Sequence, residues 1–152
     1  MLDLPMSGGC QCGACRYTID TEPFVAYTCH CRACQKLTAS AFLTCMQVAA
    51  ERVEVHTGLP QTHLRIADSG NELTTHFCGS CGSTLFIENS ARPRVRTVHV
   101  GTLDDPPQIE VTAHIWTKRK LPWVELPKGH RVFDGPGDWR ADYVSDPSRY
   151  GE

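Results

Sequence analysis

Short runs rich in β-branched and aromatic residues, each closed by a turn signal, fill most of the chain up to residue 116. The pattern predicts strands at residues 16–19, 24–28, 42–48, 53–57, 62–67, 73–77, 84–88, 94–103 and 109–116. Amphipathic helical periodicity is weak throughout, and residues 32–38 alone suggest one or two helical turns. Residues 68–71, with Gly70 in the turn, read as a hairpin connection. Gly8, Gly9, Gly79 and Gly82 supply backbone freedom beside the cysteines. Beyond Pro122 the chain carries Pro127, Pro136 and Pro147 with Gly129, Gly135 and Gly137, so an irregular tail with little sheet is expected over about 122–152. No linker or low-complexity tract divides the sequence. The expected organisation is a single mainly β domain over residues 1–152.

Composition changes this picture little. A length of 152 residues suits one domain, and 41% hydrophobic with 21% charged residues excludes a disordered or collagen-like chain. A net charge of −2 gives no basic excess to attract nucleic acid, so no nucleic-acid partner is expected. No run of about 18 apolar residues is present to span a bilayer. The first residues lack the basic-then-apolar pattern of a signal peptide. A cytoplasmic chain without a membrane partner is the expectation.

Nine cysteines change it a great deal. Eight fall into three groups: Cys10, Cys12 and Cys15; Cys29, Cys31 and Cys34; Cys78 and Cys81. An odd count and a reducing compartment disfavour a disulfide framework. Bridges inside such short turns are strained, because bridged Cα atoms lie about 5.5–6 Å apart. C-x-C and C-x2-C turns instead place two sulfurs where both reach one tetrahedral ion about 2.3 Å away. Soft thiolates select zinc or iron–sulfur clusters over magnesium or calcium. The spacings match neither common cluster run, which favours zinc. A thioredoxin-like pair at Cys78 and Cys81 lacks the βαβ pattern it requires.

The stretches SGGCQCGACRY at 7–17, CHCRACQK at 29–36 and FCGSCGSTLF at 77–86 closely resemble the glutathione-dependent formaldehyde-activating enzyme family. That family includes the relatives of centromere protein V. The likeness continues through GTLDD at 101–105 and HIW at 114–116 to Pro122 and Trp123. It implies an Mss4-like, or β-tent, fold of small antiparallel sheets pinned by zinc. It assigns Cys10, Cys12, Cys78 and Cys81 to a structural zinc, and Cys29, Cys31 and Cys34 to a second. Cys15 more often corresponds to a small apolar residue, and Cys45 has no ligand counterpart. The implied chemistry is that of a carbon–sulfur lyase, in which glutathione or a similar thiol adds to formaldehyde or a related aldehyde.

Residue chemistry agrees with that division, because four thiolates saturate zinc while three leave a position for a substrate thiolate. His30, inside the second cysteine turn, either donates a proton to the developing alkoxide or tunes the metal from outside its ligand shell. Arg32 and Lys36 flank Cys34 and are the nearest cations for the carboxylates of glutathione. Arg92, Arg94 and Arg96 recur at period two, which on a strand would give one cationic face. Trp116 and Trp123 either wall a cleft or pack in the core. His76, His99 and His114 read as structural. Cys15 is open to three readings: a small core residue, a fourth ligand closing the second site, or a redox thiol. Cys45 reads as core. The family pattern usually has glycine at the position of Ala39, so a positive φ there would reshape the loop after Cys34. Two rivals stand beside the enzyme: a non-catalytic zinc module, favoured if Cys15 closes the second site, and a thiol oxidoreductase of the methionine sulfoxide reductase kind. Either a monomer or a homodimer is compatible with the sequence.

Overall fold

Alternation along the strands sorts the side chains into two cores on opposite faces of one large sheet. In β3 (Val25–Cys29), Ala26 turns to one core while Val25, Tyr27 and Cys29 turn to the other. In β4 (Leu43–Ala49), Met46 and Val48 oppose Leu43 and Cys45 in the same manner. The computed structural model describes residues 1–143. The part of the expected tail from 144 onward, Pro147 included, lies outside the described residues.

Two short strands precede β3: β1 (Met6–Gly9) and β2 (Arg16–Ile19). Helix α1 (Arg32–Thr38) separates β3 from β4. Then follow β5 (Val53–Thr57), β6 (Gln61–Ile66), β7 (Glu72–Phe77), β8 (Thr84–Asn89), β9 (Val95–His99), β10 (Ala113–Ile115) and β11 (Arg131–Val132). The protein is mainly β, as expected. Strands β1, β2 and β5 form an antiparallel sheet of three. The other eight run in the order β11-β10-β3-β4-β9-β8-β7-β6. This larger sheet is antiparallel except at one end, where β10 pairs parallel with both β3 and β11.

The first core lies between the sheets, with Met6, Tyr17, Ile19, Met46, Leu85 and Val98 almost completely buried. Gly8 is a packing requirement there, because a Cβ would stand 2.5 Å from the Tyr17 hydroxyl oxygen. That hydroxyl pairs with Thr102 Oγ1 at 2.7 Å, and Arg16 pairs with Asp104. The 101–105 segment therefore closes over β1 and β2.

The second core takes in part of the tail expected to be irregular with little sheet. Residues 131–132 add a strand, and Trp139 and Tyr143 are 2% and 0% exposed. Trp139 stacks on Tyr27 with ring centroids 4.9 Å apart. Arg131 grips Asp142 through two bonds of 2.8 and 2.9 Å. Such aromatic burial outweighs the proline and glycine content that reads as loop.

Candidate metal centres

The turns after β1 and β7 are brought together by the sheet arrangement, and with them Cys10, Cys12, Cys78 and Cys81. All four sulfurs lie within 4.8 Å of one another. Cys10 Sγ is 3.6 Å from Cys12 Sγ, and Cys12 Sγ is 3.8 Å from Cys78 Sγ. A tetrahedral ion with bonds of about 2.3 Å places its sulfurs about 3.8 Å apart, so the set fits zinc in size and softness.

Local backbone geometry builds each half. Cys10 Sγ accepts from the Cys15 N–H at 3.2 Å, and the Gly82 N–H donates to the Cys78 carbonyl at 2.8 Å. Gly82, with φ 79°, makes a turn that a side chain would strain. Ser83 links the halves: its hydroxyl accepts from the Gln11 N–H at 3.1 Å and lies 3.2 Å from Cys81 Sγ. The Ser83 hydroxyl and N–H together hold the Cys81 thiol down to about 5. Spacing alone gave no sign of Ser83.

The second group is local in sequence. Cys29 ends β3, Cys31 caps α1, and Cys34 lies in the first turn of that helix. Their sulfurs also lie within 4.8 Å of one another. Among the described residues, no fourth histidine, cysteine or carboxylate joins the trio. Cys31 Sγ accepts from the Cys34 N–H at 3.3 Å, as an N-cap does. Hydrogen bonds from Cys29 and then Cys34 hold the Cys31 thiol well below its ordinary value. The same two partners push Cys34 far above the range of a free thiol.

Cys15 lies beside the first centre without being one of its four sulfurs. It is 4% exposed, packs in the inter-sheet core and interacts with Cys78 and Cys10. Burial, then Cys78, raises its thiol to about 11. Cys45, 2% exposed, is raised well above its ordinary value by burial. Neither is the exposed, low-pKa thiol that redox chemistry needs.

His30 is fully buried between Cys29 and Cys31. Its Nε2 lies 2.9 Å from Thr28 Oγ1, which lies 2.6 Å from His114 Nδ1. His114 Nε2 in turn lies 3.0 Å from His130 Nδ1, at a half-buried position. Sequence reasoning missed this chain, because residues 28, 114 and 130 meet only through the parallel pairing of β3 with β10. Burial, with the nearby charge of His114, lowers His30 to about 4, so the ring is neutral near pH 7. Gln35 completes the turn by donating to the His30 carbonyl at 2.7 Å and the Arg119 carbonyl at 3.0 Å.

Arg32 and Lys36 are exposed and line a cleft of about 420 Å3 with Leu121 and Trp123. Trp116 instead packs against the second core, with Lys118 Nζ 5.0 Å from its ring centre. The three arginines do not share a strand. Arg92 and Arg94 precede β9, and Arg96 is bound to Glu88 at 2.7 Å. No helix among the described residues is long and apolar enough to cross a membrane.

The sequence model of the family described as glutathione-dependent formaldehyde-activating enzyme matches residues 5–119, about three quarters of the chain. No curated protein matches. A crystal structure of a Rhodobacter sphaeroides protein is similar with a TM-score of 0.53 and 19% identity, covering 84% of this chain and 99% of its own. Likeness at that identity bears on the fold.

Proposed function

Because the chain belongs to the glutathione-dependent formaldehyde-activating enzyme family, we propose that it joins a glutathione-like thiol to formaldehyde or a related small aldehyde at the Cys29, Cys31 and Cys34 site. A carbon–sulfur bond forms, the carbonyl π pair passes to oxygen, and the proton given up by the thiol ends on that oxygen. The same step reversed is a carbon–sulfur lyase reaction.

The observation that carries this reading is the unequal pair of centres. Cys10, Cys12, Cys78 and Cys81 supply a complete tetrahedral set and are assigned a structural zinc. Cys29, Cys31 and Cys34 supply three ligands, Arg32 and Lys36 of the helix that carries Cys34 line a cleft, and a fourth ligand from solution would complete a tetrahedron around an ion held there. A zinc ion held by these three would keep a bound thiol ionised near neutral pH. Cys15 does not close this site, since it packs against Cys10 and Cys78, and that favours the enzyme over an inert module.

The chain's own groups position the thiol cofactor. Arg32 and Lys36 flank Cys34 on α1 and offer two cations to the two carboxylates of glutathione. Trp123, 73% exposed, gives the tripeptide an apolar wall. His30 is a positioning residue: Nε2 is tied to Thr28 and the ring rests on Phe42, with centroids 5.1 Å apart. With Gln35 on its carbonyl, the turn carrying Cys29 and Cys31 is held from both sides.

The test is the rate of adduct formation between glutathione and formaldehyde, read by exchange NMR. Wild type carrying two zinc ions should exceed the spontaneous rate, and Cys31→Ser should fall back to it. A Cys31→Ser protein that retains the wild-type rate refutes the assignment.

A further inference from the structure

A second cleft, of about 340 Å3, is lined in part by residues next to each cysteine centre. One wall is Leu37 and Thr38 of α1, where the Thr38 hydroxyl donates to the Cys34 carbonyl at 2.9 Å. Gly82, next to Cys81, also lines it, as do Leu43 and His99 from the ends of β4 and β9. No charged side chain among the described residues lines this cleft.

His99 is 3% exposed. Its Nδ1 lies 3.0 Å from the Thr84 carbonyl and 3.0 Å from Thr84 Oγ1. A carbonyl only accepts, so Nδ1 carries the ring hydrogen and Nε2 presents a bare lone pair. That Nε2 is buried with no hydrogen-bond partner. Buried polar atoms are almost always satisfied, and an exception calls for a cause. Burial also holds His99 down to about 4, so near pH 7 the ring offers an acceptor and no charge.

We propose that this cleft binds a neutral aliphatic molecule whose hydroxyl donates to His99 Nε2, once the side chains that cover that atom move aside, while its chain lies on Leu37, Phe42 and Leu43. If the reaction above is right, on which this part of the assignment rests, that molecule is the hydrate of an aldehyde longer than formaldehyde, which releases one water to regenerate the carbonyl before the thiol adds. A free carbonyl has no hydrogen to give Nε2, whereas each hydroxyl of the hydrate has one. Size points the same way. The volume reaches the range of small-molecule sites, roughly 300–1,000 Å3. It is about ten times a water's share of the liquid, about 30 Å3, and far more than a one-carbon hydrate fills.

The experiment uses the full-length, zinc-loaded protein labelled with 15N, titrated with butane-1,2-diol as a stable mimic of the hydrate. The His99 Nε2 resonance should move as a bare acceptor does on gaining a donor, together with the Leu37 and Thr44 signals. Leu37→Trp, which fills the mouth from a partly exposed position, should weaken binding at least tenfold. An unmoved Nε2 resonance, or equal diol affinity in Leu37→Trp, overturns the site. With glutathione present, Leu37→Trp should lose at least tenfold more kcat/KM on butanal than on formaldehyde. Equal losses overturn the substrate assignment. Diol binding at His99 without turnover of either aldehyde by wild type supports the cleft and overturns the reaction.

Discussion

His114 Nε2 lies 3.0 Å from His130 Nδ1, with the two rings only 9° from parallel, and Thr28 joins this pair to His30. A single hydroxyl thus pairs with one nitrogen of each of two buried imidazoles. Thr28→Val keeps the shape of the side chain but leaves His30 Nε2 and His114 Nδ1 without partners. An unmet buried polar atom costs about 1–3 kcal/mol, so a loss of at least about 2 kcal/mol is expected. Thr28→Ser keeps the hydroxyl and should stay within about 1 kcal/mol of wild type. Thermal denaturation of the zinc-loaded proteins distinguishes them. Equal losses in both variants would show that the methyl group, not the hydrogen bonds, stabilises this strand.

Ala39 ends α1 in the left-handed region, at φ 51° and ψ 35°, with its N–H on the Gln35 carbonyl. The sequence comparison with the family pattern flagged this position, and the structure gives the reason. A Cβ in that conformation costs about 1–2 kcal/mol, while glycine adopts it freely but has more unfolded-state entropy to lose. Ala39→Gly should therefore stabilise the protein by about 1 kcal/mol, seen as a higher Tm at fixed zinc. A lower Tm would mean that the alanine methyl makes a compensating contact.

What could be read in advance depended on whether the cause was local. Strands β2 and β5 and helix α1 follow from alternation and from a cysteine N-cap within their own residues. Strand β1 did not, because Gly8 and Gly9 have low strand propensity and the strand is defined by its pairing with β2, where Tyr17 packs tightly on Gly8. Trp139 and Tyr143 were equally opaque, since burial against Tyr27 and Phe24 is a long-range event. Cysteine spacing and the family likeness anticipated both sulfur groups. They could not place Cys15, whose side of the turn is set by the approach of β7 and Cys78.

His99 ties stability to acid. Its folded pKa of about 4 lies below the ordinary value of 6.5, so the unfolded chain binds more protons between those limits. The contribution is therefore complete above about pH 6.5 and is lost as pH falls through 4. Between pH 7 and pH 5 the expected loss is about 2 kcal/mol. His99→Phe removes the titration and should flatten this part of the curve. Urea unfolding of both proteins at equal zinc measures it, because acid loss of metal enters both curves. Parallel curves would show that His99 does not titrate abnormally.

The two cysteine centres should differ in what their loss does to the fold. Cys10 and Cys12 are joined to Cys78 and Cys81 across 66 residues, from Cys12 to Cys78. An ion there closes a long loop and fixes the small sheet to the large one, so removing it frees much chain entropy. Cys29, Cys31 and Cys34 span one strand end and one helical turn, whose neighbours β4 and β10 hold them independently of any ion. Cys31→Ser should accordingly lose one of two zinc ions, keep its far-ultraviolet circular dichroism and unfold cooperatively. Cys78→Ser should unfold or aggregate at ordinary temperature. Cys15→Ala should keep both ions, since it packs beside the first set without completing it. Elemental analysis paired with circular dichroism checks all three. A folded Cys78→Ser with one zinc would move the structural role from the long-range centre to the protein core.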